Sequence, residues 1–95
     1  MVNFVKTAAI AQAANIPVWH GSGNDLGILE KSYLHAASIA PNCLLVSDFV
    51  GSWTQVDDLI TEGFTFTNSY TPVLQTPGLG CELDLDVLEK YRVDG

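Results

Sequence analysis

From Asn3 to Ala14 the chain is rich in Ala and free of Gly and Pro, which predicts a helix. Val2, Val5, Ala9 and Ala13 recur at i, i+3/i+4 spacing along one face, and Asn3 is placed to cap it. Asn15 tolerates the left-handed conformation of a helix end, and Pro17 forbids continuation. Ile16–His20 then reads as a short strand, with Pro in one of the first positions, the only ones it suits. Gly21–Asp25 is a turn, and Asn24 or Asp25 can cap the next helix. That helix runs from about Leu26 to Ala40, where Pro41 stops it. One apolar stripe holds Leu26, Leu29, Tyr33, Ala36/Ala37 and Ala40; Ile28, Ser32, His35 and Ile39 make a second. Cys43–Val46 is a continuous apolar run, the pattern of a strand buried on both faces.

The second half has a different grammar. Ser47–Gly63 is mostly loop, with a turn of helix expected around Val56–Ile60. Phe64–Thr67 alternates with period 2, Asn68-Ser69 can turn, and Tyr70–Gln75 can return as a β-hairpin partner. Thr76–Gly80 is a rigid turn, and Asp84 or Asp86 can cap a last short helix through Tyr91. Helix, strand, helix, strand in the first half implies parallel pairing through a right-handed crossover, an α/β fold. Two parallel strands with one crossover helix cannot cover both sheet faces, and their outer edges stay open. The sequence reads as part of a larger sheet.

Composition sharpens that reading. At 95 residues the chain suits one small domain, and 47% hydrophobic against 16% charged residues gives it a core to bury. The net charge of −7 argues against binding nucleic acid. It is unevenly spread: residues 1–50 carry a net of −1 and residues 51–95 a net of −6. Cys43 and Cys81 form no CxxC pair and read as small buried residues in a reducing compartment. No stretch approaches the roughly 18 apolar residues of a membrane span. Ala11-Gln12-Ala13 mimics a signal-peptide cleavage site, but no apolar run of ~7–15 residues precedes it. A cytoplasmic protein without membrane partners is the expectation.

Ligands of α/β folds and barrels sit beyond the carboxyl ends of parallel strands. Two places qualify: His20-Gly21-Ser22-Gly23-Asn24-Asp25 and Ser47-Asp48-Phe49. Adjacent parallel strands bring these ends together, so His20 and Asp48 are expected to face one cleft, with imidazole suited to proton transfer near neutral pH. The bland account of His20 is a hydrogen bond to a neighbouring loop. Gly21-Ser22-Gly23 opens like GxGxxG, but Leu26 breaks that pattern and no Walker lysine follows. The backbone there could hold a carboxylate; a tight turn without ligand is the stronger reading. A triad of Ser22 or Ser47, His20 and Asp48 can be drawn, yet no G-x-S-x-G surrounds either serine. His35 reads as a packing residue, Asp57-Asp58 as a solvated turn with a capping role, and Trp19 and Trp53 as packing near the rim. Glu82, Asp84, Asp86 and Glu89 alternate with Leu83, Leu85 and Val87, point outward and lack the calcium-loop pattern, so no metal site is assigned.

Several segments together carry a resemblance. Ala8–Val18, Asp25-Leu26-Gly27-Ile28, His35–Asn42, Asp57–Ile60 and Pro77-Gly78-Leu79-Gly80-Cys81-Glu82-Leu83-Asp84 occur in the order seen in the mandelate racemase/muconate lactonizing enzyme family of the enolase superfamily. They resemble its sixth barrel helix, seventh strand and helix, and closing PGLG segment. The resemblance implies a partial TIM-type (β/α) barrel. Residues 1–50 would be the terminal barrel units, and residues 51–95 an irregular tail, with the β-hairpin, returning toward a capping domain.

The family abstracts a proton α to a carboxylate and stabilises the enediolate on Mg²⁺. The resemblance therefore implies an isomerase, racemase or dehydratase acting on a small carboxylate, with the rest of the barrel and the capping domain as partners. The family's three acidic metal ligands and its lysine bases lie on earlier strands, so this chain alone is expected to bind no Mg²⁺ and to be inactive. Two positions carry over: His20 ends the strand resembling the seventh, where some members place a base, and Asp48 comes after the eighth, where an acid assists the substrate. Gly21 and Ser22 stand beside His20 as substrate-binding candidates, although Trp19-His20-Gly21-Ser22 departs from the racemase pattern. Lys6 lies at the opposite, helical end. The alternative is a small non-catalytic module that folds alone or with a partner barrel fragment.

Overall fold

The computed structural model describes residues 1–94, with helices α1 (Val2–Ala13), α2 (Gly27–Ser38), α3 (Gly51–Thr54) and α4 (Leu85–Lys90). Met1, not Asn3, is the N-cap of α1; Asn3 lies inside the first turn and makes no cap bond. The C-terminus of the helix meets expectation. Asn15 takes φ 56°, its N–H donates to Gln12 O at 3.0 Å, and the Ile16 N–H reaches Ala11 O at 2.8 Å. This paired closure of a helix end is why the chain turns before Pro17.

Beyond the turn, Val18 and Cys43 make a parallel bridge, and the Val18 N–H donates to Asn42 O at 2.9 Å. The Asn42 side-chain amide donates to Ala8 O and to Ile16 O, both at 3.0 Å, and so fastens α1 to this bridge. The pairing has the expected direction, but no sheet forms among the described residues. Cys43–Val46 is not buried on both faces: Leu44, Leu45 and Val46 are 73%, 61% and 83% exposed. A strand of this pattern is covered by sheet neighbours and helices, and the described residues supply only the Val18 bridge on one side.

Helix α2 packs against α1 and α3, with Ala8, Ala36 and Ala40 buried; their small side chains let backbones approach closely. Its N-terminus is held from a distance. Neither Asn24 nor Asp25 caps it: Asp58 Oδ1 accepts from the Gly27 N–H at 2.9 Å and from the Leu59 N–H at 2.7 Å. A Cβ at Gly27 would press on the Asp58 carboxylate and lie 2.5 Å from Ile60 Cδ1, so both side chains would have to shift to admit one. The expected stripes are partly inverted. Glu30 and Lys31 are buried while Leu29 and Ile39 are exposed.

In the tail, the short helix falls at Gly51–Thr54 rather than Val56–Ile60. An antiparallel bridge between Ile60 and Leu83, with Thr61 N–H to Glu82 O at 3.0 Å and Asp84 N–H to Leu59 O at 2.8 Å, joins the loop to the closing segment. The hairpin exists as one bridge, Thr67 to Tyr70, across Asn68 and Ser69 at φ 51° and 66°. Two left-handed residues at the tip define a tight hairpin turn. Asp84 caps α4 by accepting from the Val87 N–H at 3.0 Å, as its position predicts. Asp57 accepts from Lys90 Nζ and Tyr91 Oη, both at 2.6 Å, tying α4 to the loop. Trp19 and Trp53 are 50% and 82% exposed, so Trp53 is not a packing residue here. Cys43 and Cys81 are free and half-buried rather than buried. Among the described residues no helix is long and apolar enough to cross a membrane.

Candidate functional site

The Val18–Cys43 bridge brings two chain segments side by side, and the residues after each segment meet at one end. The Ser22 N–H donates to Asp48 Oδ1 at 2.7 Å, a charge-assisted bond across 26 residues. Ser22 and Asp48 are thus brought together as expected from adjacent parallel ends, but His20 does not open with Asp48 on a cleft as expected, because both of its ring nitrogens are enclosed. Trp19 Nε1–H donates to Val46 O at 2.6 Å and adds a second tie between the segments. Gly21 lies against the Trp19 ring, where a Cβ would come within 2.9 Å of the indole.

His20 is 4% exposed, and neither ring nitrogen has a hydrogen-bond partner among the described residues. The bland expectation, a loop hydrogen bond, is therefore not met. The imidazole instead lies between aromatic rings, with centroids 4.8 Å from Tyr33 and 5.1 Å from Phe49. Phe49 leans in turn on Phe64 (5.4 Å) and Phe66 (6.4 Å), so the tail closes over the site. Burial pushes the His20 pKa below its ordinary 6.5, because a charged imidazolium is poorly solvated there; the carboxylates of Asp48 and Asp25 oppose this. The balance favours a neutral ring, the form that accepts a proton.

Glu30, missed in the sequence, is the most enclosed side chain of the site at 1% exposure. Its Oε1 accepts from the Ser22 hydroxyl at 3.2 Å and from the Gly51 N–H at 3.1 Å, linking the loop after His20 to the helix after Asp48. Burial raises its pKa from 4.5; the Gly51 and Ser22 hydrogen bonds work against that rise, and the nearby Asp25 and Asp58 add to it. No signal in the sequence singled it out, since Glu30-Lys31-Ser32 reads as the solvated face of the helix. A serine triad is not formed: the Ser22 hydroxyl goes to Glu30, and Asp48 accepts from backbone. Nor is the start of α2 an anion cradle, since Asp58 already takes its first N–H. His35 packs, its Nε2–H donating to Leu79 O at 3.1 Å.

His20 and Glu30 impose opposite pH slopes on stability. His20, depressed in the fold, lets the unfolded chain bind the extra proton as pH falls below 6.5, so stability drops until the folded pKa is passed. Glu30, raised in the fold, makes the folded chain bind the extra proton between 4.5 and its folded pKa, so stability grows as pH falls through that window. Urea midpoints are expected to fall just below 6.5 and to lose that fall in His20→Phe. A midpoint equally flat in both proteins would remove the burial argument for His20.

Among the described residues no group of three or more His, Cys, Asp or Glu side chains converges as metal ligands. Without such a group, these residues do not supply the set of oxygen ligands that a Mg²⁺ ion takes.

Two parallel-paired segments joined through a helix place the chain among α/β folds. Residues 1–87 match the family described as enolase C-terminal domain-like. The muconate lactonizing enzyme from Klebsiella pneumoniae has the same fold over 92% of this chain and 24% of its own, with a TM-score of 0.82 and 32% identity. D-xylonate dehydratase from Haloferax volcanii is 33% identical over 94 residues, covering 95% of this chain and 22% of that enzyme. Chloromuconate cycloisomerase from Pseudomonas putida is 28% identical over 95 residues, all of this chain and 26% of that enzyme. The chain belongs to the mandelate racemase/muconate lactonizing enzyme family of the enolase superfamily and corresponds to its C-terminal part. It spans about a quarter of the length of these relatives.

Proposed function

We propose that this chain is the C-terminal wall of a cytoplasmic barrel enzyme that removes a proton α to the carboxylate of a small substrate, as an isomerase or dehydratase. The observation that carries the reading is the Ser22–Asp48 bond, which joins the residues after two parallel segments next to His20 in the chain. In this scheme neutral His20 accepts the α proton, which requires its enclosed ring nitrogens to be uncovered in the whole enzyme. Asp48 orients the Ser22 backbone and, with it, Gly21, against which the substrate's polar groups bind. Glu30 keeps the two loops in register through Ser22 and Gly51. Mg²⁺ would be held by residues outside this chain, and residues 51–95 would return toward the capping domain. The exposed Leu44–Val46 run and Ile10, 74% exposed, would pack against the remaining barrel. Each fully buried side chain of this kind is worth about 1.5–3 kcal/mol, so packing there would add to the stability the chain has by itself.

The test is solvent deuterium exchange at the α carbon of small carboxylates, monitored by NMR with Mg²⁺ present. The 95-residue chain is expected to give none. The chain combined with a barrel fragment of the family that supplies a strand-end lysine and three acidic strand ends is expected to exchange. Metal-dependent exchange by the 95-residue chain itself would overturn the division of labour.

A further inference from the structure

Lys31 is 3% exposed, yet among the described residues no carboxylate lies within 4.0 Å of its ammonium and no hydrogen bond holds it. Its Nζ stands 4.3 Å from the centroid of Phe64. The side chain is buried as a whole, but its ammonium is not among the enclosed atoms that lack a partner, so the charge opens outward beside the Phe64 face. Lys31 also lines a cavity of about 340 Å³, together with Glu62, Phe64, Thr65, Thr71 and Leu74. That volume is at the lower end of the ~300–1,000 Å³ of small-molecule sites and far above the roughly 30 Å³ of one water.

From this we infer a second binding site, for a small monocarboxylate, with its anionic group on Lys31. The inference does not rest on the activity proposed above. The wall chemistry selects the class. Lys31 supplies the positive charge, and the Thr65 and Thr71 hydroxyls can donate to carboxylate oxygens. Phe64, Pro72 and Leu74 provide apolar wall for a short hydrocarbon portion. Glu62 lines the same cavity without pairing with Lys31, so its negative charge disfavours a dianion such as phosphate and tolerates a monoanion. The site lies on α2 and the tail, and Phe64 joins it to His20 through Phe49, at 5.4 Å and 5.1 Å.

Competitive lysine acetylation of the 95-residue chain, read by mass spectrometry, tests this with propionate as probe and exposed Lys6 and Lys90 as internal references. Lys31 is expected to react about tenfold more slowly than Lys6. Propionate at about its Kd, on the order of 1 mM, should slow Lys31 about twofold further and leave Lys6 unchanged. Propionamide, the neutral isostere, should do nothing, and inorganic phosphate less than propionate. Glu62→Gln, at an exposed position, should strengthen propionate protection about threefold. Lys31 reacting at the Lys6 rate overturns the site. So does propionamide protecting as well as propionate, phosphate protecting better, or Glu62→Gln leaving protection unchanged.

Discussion

Under the proposed function, His20→Gln in this chain combined with the rest of the barrel is expected to slow α-proton exchange by about 10²–10⁴-fold, the range that a positioned general base contributes. Gln keeps a side chain of similar reach but has no lone pair basic enough to take a carbon-bound proton. The wild-type rate should fall on the acid side as His20 gains its proton. That limb lies below 6.5, because burial favours the neutral ring over the imidazolium. Substrate binding should change little in His20→Gln, since Asp48 and the Ser22 backbone bond remain. A variant within about threefold of the wild-type rate would mean that the proton goes to another group. The aromatic cage would then be the whole role of His20, which sits 4.8 Å from Tyr33 and 5.1 Å from Phe49.

That cage also explains how far the sequence could be read. Helices α1 and α4 were legible because their signals are local: an Ala-rich run closed by Asn15 and Pro17, and Asp84 at the N-cap of a short amphipathic stretch. The meeting of Ser22 with Asp48 was legible too, since parallel pairing alone places the residues after each segment side by side. Glu30 and Lys31 were not. A helical stripe assigns charges to solvent, and only tertiary packing shows that Ser22, Gly51 and the Phe64 ring surround these two. The cap of α2 failed for the same reason: Asn24 and Asp25 have the right chemistry and the right position, but Asp58 arrives from 31 residues away. The exposure of Leu44–Val46 was a failure of another kind. Its continuous apolar pattern encodes a sheet environment that these residues cannot supply to one another.

Gly51→Ala is expected to destabilise the chain by about 3 kcal/mol, the upper part of the usual cost of forcing extra volume into a packed site. Gly51 is buried, and a Cβ there would collide with the backbone carbonyl of Asp25 and lie 2.8 Å from Glu30 Oε1. A flexible side chain could swing aside, but the Asp25 carbonyl belongs to the turn after His20. Relief therefore requires that turn and α3 to move apart. Such a separation would stretch the 3.1 Å bond from the Gly51 N–H to Glu30 and leave a buried carboxylate with one donor fewer. The Ser22–Asp48 contact spans the same junction, so loss of stability and loss of site geometry are one event. Gly63→Ala is the matched control, since nothing lies within 4 Å of a Cβ at that position. It should be neutral or stabilise slightly, by about 0.4–1 kcal/mol, through the unfolded chain. Paired urea midpoints on the two variants measure the difference. If Gly51→Ala matched Gly63→Ala within about 0.5 kcal/mol, the two loops would not be pressed together at Gly51, and Glu30 would lose its role in holding them.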